Sequence, residues 1–398
     1  MRLFLPFRRT VHNATKAQLA KRIQAFGPIT VADYMKEALT NPISGYYMKS
    51  KIFGPRGDFT TSPEISQLFG ELVGTWFVNE WNHLAKPLEV SLIELGPGRG
   101  TLLSDVIRVF SRFPSAFNSI RLHLVEISPQ LRAIQEENLK KSLSALQLSL
   151  PPVTWYEHLT EVPRHAPSFI LANEFFDALP VHQFQKVGTD WQEVLVDVAA
   201  GNEDHEDCEL RFVRSSRPTV SQLLGDLQAS NFAEVSPQTL VCIQDICRRI
   251  AEDKGVALVI DYGHEGEKGN TLRAFCKHEL CDPLLHPGEM DLTCDVNFAL
   301  LKTLATRSNA SVDVHGPVSQ AFFLINMGLL TRLKQLATSC KTKNALDDLM
   351  SGCEMLITKE QMGERFKFLA IVSRSPDSRV PPGFAVLPGT PYDSLSRE

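Results

Sequence analysis

Three glycines at alternating positions form the most distinctive short motif of the chain. Gly96, Gly98 and Gly100 follow the apolar run VSLIEL and precede the helical pattern TLLSDVIRVF. Glycine permits positive φ angles and a close approach of the backbone to a ligand, so such a turn between a strand and a helix is typical of a nucleotide cradle. Because Thr101 follows directly, the spacing is G-x-G-x-G and does not meet the dinucleotide pattern G-x-G-x-x-G.

Two acidic residues give this turn a chemical character. Glu94 lies two positions before the first glycine, where a carboxylate would attract a cation and would be poorly placed beside a pyrophosphate. Glu126 ends the next predicted strand, IRLHLVEIS, and could accept hydrogen bonds from both hydroxyls of a ribose. Together these features predict S-adenosyl-L-methionine, which has a ribose, an ammonium, a sulfonium and no phosphate. A nicotinamide cofactor or a purely structural turn is the alternative.

A second group of polar side chains follows the apolar run SFILAN. Asn173, Glu174, Asp177 and His182 lie there within ten residues. Ligands of open parallel sheets bind at the carboxyl ends of strands, so we predict Asn173 as a cofactor contact. Glu174 and Asp177 could clamp a guanidinium group through charge-assisted hydrogen bonds, and His182 could accept the proton that is lost on methylation. Alternatively, the acids only cap or solvate a loop and the histidine is structural.

The stretch GPRGDFTTSPEIS offers a further contact for the cofactor. Gly54, Gly57 and Asp58 shape a loop before a predicted helix that Ser62 would cap. The first N–H groups of this helix could bind the carboxylate of the cofactor, and an ordinary capped helix is the alternative. Downstream, FCKHELCDPLLHPGEMDLTC is rich in cysteine and histidine, but its spacing matches no usual zinc site, so no metal is predicted. Asp291 in this stretch is a candidate polar lining of the pocket.

The surrounding patterns indicate the elements that must position these residues. The apolar strands VSLIEL, IRLHLVEIS, SFILAN and GVALVIDYG alternate with helical patterns, which predicts a parallel sheet covered on both faces. Two antiparallel strands, HQFQKVGTDWQEVLVDV and CELRFVRSS, interrupt this alternation as an inserted β-element. SPEISQLFGELVGTWFVNEW and QAFFLINMGLLTRLKQLAT each read as one helix, and FKFLAIVSR reads as a last strand.

Composition narrows the classes of function. The 398 residues have a formal net charge of −5, which argues against a nucleic-acid or anionic-membrane surface. No run of 18 apolar residues occurs, so no membrane span is predicted. The eight cysteines are scattered without a C-x-x-C pair, as in proteins of reducing compartments. The arginine-rich start without an acid before Asp33 predicts a mitochondrial presequence, with a solvated basic terminus as the alternative.

Several longer motifs resemble the MidA-type family of methyltransferases. They are GPITVADYM, NPISGYY, GDFTTSPEISQLFGEL, IELGPGRGTL, ANEFFDALPVHQF, IDYGH and PGEMDLT, and they occur in this order. The resemblance covers most of the chain, from about Gly27 to the strand near Ile371. It implies a class I methyltransferase fold, which is an α/β, Rossmann-like, seven-stranded sheet with an N-terminal helical addition and an inserted β-element.

The mitochondrial branch of this family implies a specific activity and partner. We expect a protein-arginine methyltransferase of the mitochondrial matrix that forms symmetric dimethylarginine on the core iron–sulfur protein 2 subunit of respiratory complex I during early assembly. A cofactor-binding assembly chaperone without essential catalysis and a small-molecule methyltransferase are the alternatives. The sequence leaves the oligomeric state open, a homodimer included.

The patterns also suggest a division of the chain. We expect a presequence over residues 1–14, an N-terminal helical region over 15–88, a methyltransferase domain over 89–374 with the β-insertion at about 182–235, and a disordered tail over 375–398.

Overall fold

The computed structural model describes residues 14–48, 61–199, 208–219, 231–276, 279–375 and 379–386. The expected presequence, except for residue 14, lies outside these ranges, and so does most of the acidic turn in the β-insertion. Within the described part of the chain, no helix has the length and apolar character needed to cross a membrane.

Strands and helices are numbered here in chain order. The strands are β1 Ile29–Thr30, β2 Val90–Leu95, β3 Ile120–Val125, β4 Val153–Tyr156, β5 Ser168–Asn173, β6 His182–Val187, β7 Asp190–Val198, β8 Leu210–Pro218, β9 Phe232–Val235, β10 Gly255–His264, β11 Arg273–Cys276, β12 Glu279–Cys281, β13 Asp291–Thr293, β14 Val296–Asn297, β15 Val312–Ser319 and β16 Phe366–Ser373. The α-helices are α1 Ala14–Phe26, α2 Val31–Thr40, α3 Ser62–Ile65, α4 Gln67–His83, α5 Thr101–Phe110, α6 Pro114–Ser119, α7 Pro129–Ser144, α8 Pro237–Asp253, α9 Phe298–Ser308, α10 Gln320–Asn326, α11 Leu329–Ser339 and α12 Lys343–Ile357.

A mixed sheet forms the centre of the molecule. Its order is β15-β16-β10-β5-β2-β3-β4, and the short β14 pairs with β10. The strands from β10 to β4 run parallel, whereas β16 is antiparallel to both β10 and β15. The chain fills one side of β2 with β3 and β4 and then crosses to the other side with β5. The topological switch point, where ligands of such sheets bind, therefore lies between β2 and β5.

Apolar side chains cover both faces of this sheet, as the sequence predicts. All six residues of β2 and of β5 are buried, which explains their largely apolar character. One face packs against α4 and α5 through residues that include Trp76, Phe77 and Phe110, and the other face packs against α8 and α9. Each fully buried aromatic side chain of this kind contributes roughly 2–3 kcal/mol of transfer free energy.

The antiparallel strands predicted for the insertion are present and contact the N-terminal helices. β7 lies between β6 and β1, β8 also pairs with β7, and β9 borders β6. A separate cluster joins Tyr34 and Met35 of α2 to Val196 of β7 and to Leu292 of β13. The N-terminal helices therefore pack on the inserted strands and on the small sheet β12-β11-β13, which lies beside the end of the main sheet.

Two predicted single helices are each interrupted. The first is divided at Ser66, which has extended φ and ψ angles of −155° and 133° and whose side chain caps α4. Thr61, not Ser62, occupies the N-cap position of α3, so the predicted cap is off by one residue. The late helix breaks at Gly328, whose φ of +95° is outside the helical region. The apolar periodicity alone predicts a continuous helix across Ser66 and across Gly328, but the backbone leaves the helical conformation at both residues.

Part of the C-terminal tail is packed against the domain. Trp76 Nε1 donates to the carbonyl of Pro382 at 3.1 Å, Arg379 pairs with the buried Glu80, and Phe384 packs edge-on against Phe323. The sequence predicts disorder over residues 375–398, whereas residues 379–386 make these specific contacts. A segment rich in proline, glycine and serine can still pack through individual aromatic and proline residues. Residues 376–378 and 387–398 lie outside the described ranges.

Candidate functional site

The glycine turn lies at the carboxyl end of β2, next to the switch point of the sheet. Gly96, Gly98 and Gly100 have φ angles of 60°, 53° and 77°, a conformation that other residues adopt only with strain. Gly100 is also the N-cap of α5, so the turn delivers the chain directly into a helix. The N-terminus of that helix therefore follows the turn at the carboxyl end of the strand, as in sites that bind a ligand through backbone N–H groups.

Glu94 is a buried acid beside this turn. Its side chain is almost inaccessible, and its Oε2 atom has no hydrogen-bond partner among the described residues. Burial raises the pKa of Glu94 to about 8, because the carboxylate form has lost its hydration. A buried acid without a cation or a donor is costly to a protein, so it indicates a site that is completed by a ligand.

Glu126 lies one strand away and is held by Ser128 and Gln135. Its Oε1 atom accepts the backbone N–H of Ser128 at 2.8 Å, and its Oε2 atom accepts from Gln135 Nε2 at 3.3 Å. Gln135 Nε2 also donates to the carbonyl of Gly98 at 2.8 Å, while its Oε1 accepts from Trp155 Nε1 at 2.8 Å. Gln135 therefore couples the acid to the glycine turn. The sequence analysis overlooked this residue, since a glutamine within a helix gives no signal of its own.

Glu174 follows β5 in a strained conformation. Its φ of 49° is unusual for a residue with a side chain, and its carboxylate Oε1 accepts the backbone N–H of Ser62 at 3.1 Å and Asn173 Nδ2 at 3.4 Å. Burial, and then the neighbouring Asp177, raise the pKa of Glu174 to about 8. The Ser62 amide, which we predicted to bind the cofactor carboxylate, is thus engaged by Glu174. The Ser62 Oγ and Asn173 Oδ1 atoms are buried without a hydrogen-bond partner among the described residues.

Asp177 lies in the same loop and is supported from the small sheet. Its Oδ2 accepts the hydroxyl of Thr293 at 2.8 Å, and that hydroxyl also contacts the hydroxyl of Tyr262. Burial raises the pKa of Asp177 above its ordinary value. Hydrogen bonds from the side chains of Tyr262 and Thr293 act in the opposite direction and lower it. The Oδ1 atom has no hydrogen-bond partner among the described residues, so one oxygen of this carboxylate is hydrogen-bonded and the other is not.

His182 has different neighbours from the two acids. Its Nδ1 atom is 2.6 Å from Glu193 Oε1, and its ring stacks on Phe184 within the inserted sheet. Among the described contacts, none joins His182 to Glu174 or Asp177. Chain proximity therefore did not bring the three side chains into one cluster, because β6 begins at His182 and directs its side chain into the insertion.

Asp261 is a site residue that the sequence analysis did not single out. It lies near the end of β10, is fully buried, and accepts backbone N–H groups from the loop that contains Glu174 and Asp177. The available signal was a carboxylate directly after the buried run GVALVI, at the carboxyl end of a strand that neighbours β5. Asp291, predicted as a lining residue, accepts a hydrogen bond from the Tyr47 hydroxyl at 2.9 Å.

The remaining candidates are the loop before α3 and a metal site. The loop with Gly54, Gly57 and Asp58 lies outside the described residues. Across the described ranges, no group of three or more histidine, cysteine, aspartate or glutamate side chains is arranged to hold a metal ion.

The residues at the turn fit the predicted cofactor. The Glu94 carboxylate, whose Oε2 atom has no hydrogen-bond partner among the described residues, suits an ammonium group, and the three glycines give the turn a backbone without side chains at these positions. Glu126 presents carboxylate oxygens one strand away, as the recognition of a ribose requires.

A comparison with protein families agrees with this reading of the site. Residues 72–318, more than half of the chain, match the family model described as "Putative S-adenosyl-L-methionine-dependent methyltransferase". The chain therefore belongs to this family of S-adenosyl-L-methionine-dependent methyltransferases, and the predicted cofactor and class of enzyme are confirmed.

Individual relatives extend over most of the chain. The protein named "Protein arginine methyltransferase NDUFAF7, mitochondrial" from Homo sapiens is 43% identical over 370 residues, which are 89% of this chain and 82% of the relative. The homolog of that name from Drosophila melanogaster is 44% identical over 377 residues, which are 90% of this chain and 85% of the relative. A crystal structure from Burkholderia thailandensis, bound to S-adenosyl-homocysteine, has a TM-score of 0.79 at 24% identity and covers 99% of this chain and 100% of its own. That likeness confirms the predicted fold class.

Proposed function

We propose that this methyltransferase modifies an arginine side chain of a protein substrate. Two relatives at 43% and 44% identity are named protein arginine methyltransferases, which supports this class of acceptor. The observation that carries the proposal is the half-buried carboxylate of Glu174, held at the switch point of the sheet in a strained conformation and three residues from a buried acid, Asp177. Such a pair suits a planar cation with several N–H donors.

In this proposal the residues of the glycine turn would hold the cofactor. Glu94 would pair with its ammonium group, the backbone of Gly96 to Gly100 would lie against it, and Glu126 would accept hydrogen bonds from its ribose hydroxyls. When bound, S-adenosyl-L-methionine supplies an electrophilic methyl group on a sulfonium centre. Phe175 and Glu174 lie next to the turn, so a guanidinium held by Glu174 would be adjacent to this centre.

The two acids bind and orient the acceptor. Glu174 uses Oε1 for the Ser62 amide, and Asp177 uses Oδ2 for Thr293, so the second oxygen of each carboxylate is the one that would accept from the guanidinium. Their negative charge holds the positive charge of the guanidinium on the bound nitrogens and leaves electron density at the attacked one. The attacked nitrogen loses its proton on methylation. Glu174 is suited to accept it, because its raised pKa makes it a stronger base than an exposed glutamate.

His182 is the less favoured proton acceptor. The sequence analysis predicted this role from its position in the chain, but its Nδ1 atom pairs with Glu193. We therefore assign proton acceptance to Glu174 and treat His182 as a residue of the inserted sheet.

For the acceptor protein we propose the core iron–sulfur protein 2 subunit of respiratory complex I, modified to symmetric dimethylarginine in the mitochondrial matrix during early assembly. The mitochondrial relatives and the motifs shared with the MidA-type family support this choice. The basic, acid-free first residues support delivery to mitochondria.

The test is transfer of a labelled methyl group to the purified, unassembled subunit by the wild type and by Glu174→Gln. Glutamine keeps the size of the side chain and an oxygen for the Ser62 amide, and it removes the charge. We expect incorporation to fall by roughly 100-fold, and mass spectrometry to find dimethylarginine in the wild-type reaction only. The matched control is Glu80→Gln, which alters a buried, hydrogen-bonded carboxylate on α4, remote from the switch point.

Equal incorporation by wild type and Glu174→Gln would remove the proposed clamp. If the wild type modifies no arginine of this subunit, the subunit is not the acceptor. Normal complex I assembly in cells that contain only the Glu174→Gln protein would favour a role as an assembly chaperone.

A further inference from the structure

Asp261 holds the turn that follows Glu174, and the proposed function leaves it without a role. Its Oδ2 atom accepts three consecutive backbone N–H groups, from Phe175 at 3.2 Å, Phe176 at 3.0 Å and Asp177 at 3.3 Å. Its Oδ1 atom accepts the N–H of Tyr262 at 3.1 Å. The two oxygens therefore accept from four backbone donors in total, so this side chain serves the backbone as a hydrogen-bond acceptor.

These bonds attach the loop to β10 on both sides of Glu174. The backbone N–H of Glu174 donates to the carbonyl of Ile260 at 2.9 Å, and the next three N–H groups bind Asp261. Between these two attachments the chain has to turn sharply, and Glu174 adopts its φ of 49°. A strained residue persists only where its surroundings determine the conformation, and here adjacent residues of one strand do so.

A carboxylate is an expensive choice for this structural task. Burial raises the pKa of Asp261 well above its ordinary value, and the nearby Asp177 and Glu174 raise it further, against the effect of the backbone hydrogen bonds. A serine, threonine or asparagine would offer an acceptor without adding a third acid to this cluster. A carboxylate, however, accepts several N–H groups at once through strong hydrogen bonds. It can therefore hold a short turn tightly enough to keep Glu174 and Asp177 in one orientation.

We propose that Asp261 is a positioning residue for methyl transfer. Its carboxylate gathers the amides of residues 175–177 and thereby directs the Glu174 carboxyl group toward the acceptor, without touching the substrate itself. This inference rests on the proposed function, since it assigns Asp261 a role through Glu174.

The experiment compares Asp261→Asn and Asp261→Ala in the full chain. Asparagine keeps one oxygen for the three amides of the loop, whereas alanine keeps none. We expect kcat to fall by about 10-fold in the first and by about 100-fold or more in the second, because small displacements of a catalytic group have effects of this size. Cofactor affinity measured by calorimetry is expected to stay within about threefold of the wild type, because none of the described hydrogen bonds joins Asp261 to the glycine turn or to Glu94.

The matched control is Glu234→Gln. Glu234 is a half-buried carboxylate that also accepts backbone N–H groups, from Thr271 and Leu272, but it supports the inserted sheet and not the loop of Glu174. Both Asp261 and Glu234 variants are expected to lower the melting temperature, and only the Asp261 variants to lower kcat. A loss of kcat in all variants in proportion to lost stability would reduce Asp261 to a structural residue and overturn the inference. If the alanine variant fails to fold, the asparagine variant alone serves for this comparison.

A double-mutant cycle separates the inference from the proposed function. If Asp261 acts through Glu174, Asp261→Ala lowers kcat by less than about 10-fold in a Glu174→Gln background, instead of about 100-fold. Fully additive effects would overturn the positioning role and leave the guanidinium clamp intact. A Glu174→Gln protein as active as the wild type would instead refute the clamp, whatever Asp261 does.

Discussion

The ring of Phe175 lies 3.0 Å from the position that a Cβ atom on Gly96 would occupy. Gly96 opens the turn at the end of β2, and Phe175 directly follows Glu174 at the end of β5. The cofactor turn and the loop of the two acids are therefore in contact across the switch point of the sheet. A side chain added at Gly96 would therefore displace the Phe175 ring and, through it, the adjacent Glu174.

We predict that Gly96→Ala impairs methyl transfer more than cofactor binding. The new methyl group would displace the Phe175 ring and with it the adjacent Glu174, in addition to the cost of about 1 kcal/mol for a side chain at positive φ. We expect kcat to fall by about 10-fold or more. Steady-state kinetics, together with calorimetry of cofactor binding, would measure both effects.

The matched control for this substitution is Gly188→Ala. Gly188 has a φ of 63°, close to the 60° of Gly96, and a Cβ atom there would meet no atom within 4 Å. Alanine at position 188 would therefore have the same backbone strain as alanine at position 96, but its Cβ atom would contact no other side chain within 4 Å. If both variants lose kcat to the same extent, backbone strain and not the Phe175 contact is responsible.

The parts of this site that the sequence predicted are those with a local signal. Gly96, Gly98 and Gly100 stand together between a strand and a helix, and Glu94 precedes them, so chain order alone brought them into one hypothesis. The alternation of apolar strands and helices likewise predicted the parallel sheet, since burial on both faces leaves a continuous apolar run.

The parts that were missed or misassigned depend on contacts between distant segments. Asp261 reaches the loop at 175–177 only because β10 and β5 are neighbours in the sheet. Ser62 donates to Glu174 because the start of α3 lies beside the end of β5. His182 is separated from the acids because it begins a strand of a different sheet. A single sequence does not encode locally which distant strands and helices become neighbours.

A second prediction concerns Gln135, which links the glycine turn to Glu126. Gln135→Leu removes the donor to both the Gly98 carbonyl and Glu126, and it leaves a buried carboxylate less well supported. We expect cofactor affinity to fall by about 10-fold, equivalent to roughly 1.4 kcal/mol, as for the loss of a hydrogen bond to a charged group. Trp155→Phe is the control, because it removes the hydrogen bond from Trp155 to Gln135 and keeps an aromatic ring against the core, while the Gln135 donor to Gly98 and Glu126 remains. Equal losses in the two variants would argue against a specific role of the Gln135 amide.

A third prediction is that cofactor binding releases a proton from Glu94. Burial raises the pKa of this carboxyl group to about 8, so at pH 7 it is mostly protonated, whereas an ammonium beside it favours the ionised form. Calorimetry in buffers with different ionisation enthalpies is expected to find proton release that declines above pH 8. In Glu94→Gln we expect this contribution to vanish and the affinity to fall by about 10-fold to 100-fold. Proton release that is unchanged in this variant would assign it to another group.

The same group affects the stability of the protein without its cofactor. A carboxyl group whose pKa is raised from 4.5 to about 8 on folding keeps a proton that the unfolded chain has already lost. Its favourable contribution is complete below pH 4.5 and is lost as the pH rises through 8. We therefore expect the melting temperature of the cofactor-free wild type to decrease from pH 6 to pH 9 by more than that of Glu94→Gln. An identical decrease in both would show that Glu94 is not buried and unpartnered in solution.

The last prediction is the pH dependence of methyl transfer itself. Burial first, and then the charge of Asp177, raise the pKa of Glu174 to about 8, and the clamp requires its ionised form. With saturating cofactor, kcat/KM for the acceptor reports the ionisation of the enzyme before it binds the acceptor, so we expect it to rise about 10-fold per pH unit below 8 and to level off above. The arginine of the substrate stays charged over this range and adds no titration of its own. Glu174→Gln is expected to lack this rise, whereas Glu80→Gln keeps it. A rise that survives in Glu174→Gln would mean that a different acid binds the guanidinium, with Asp177 the next to be tested.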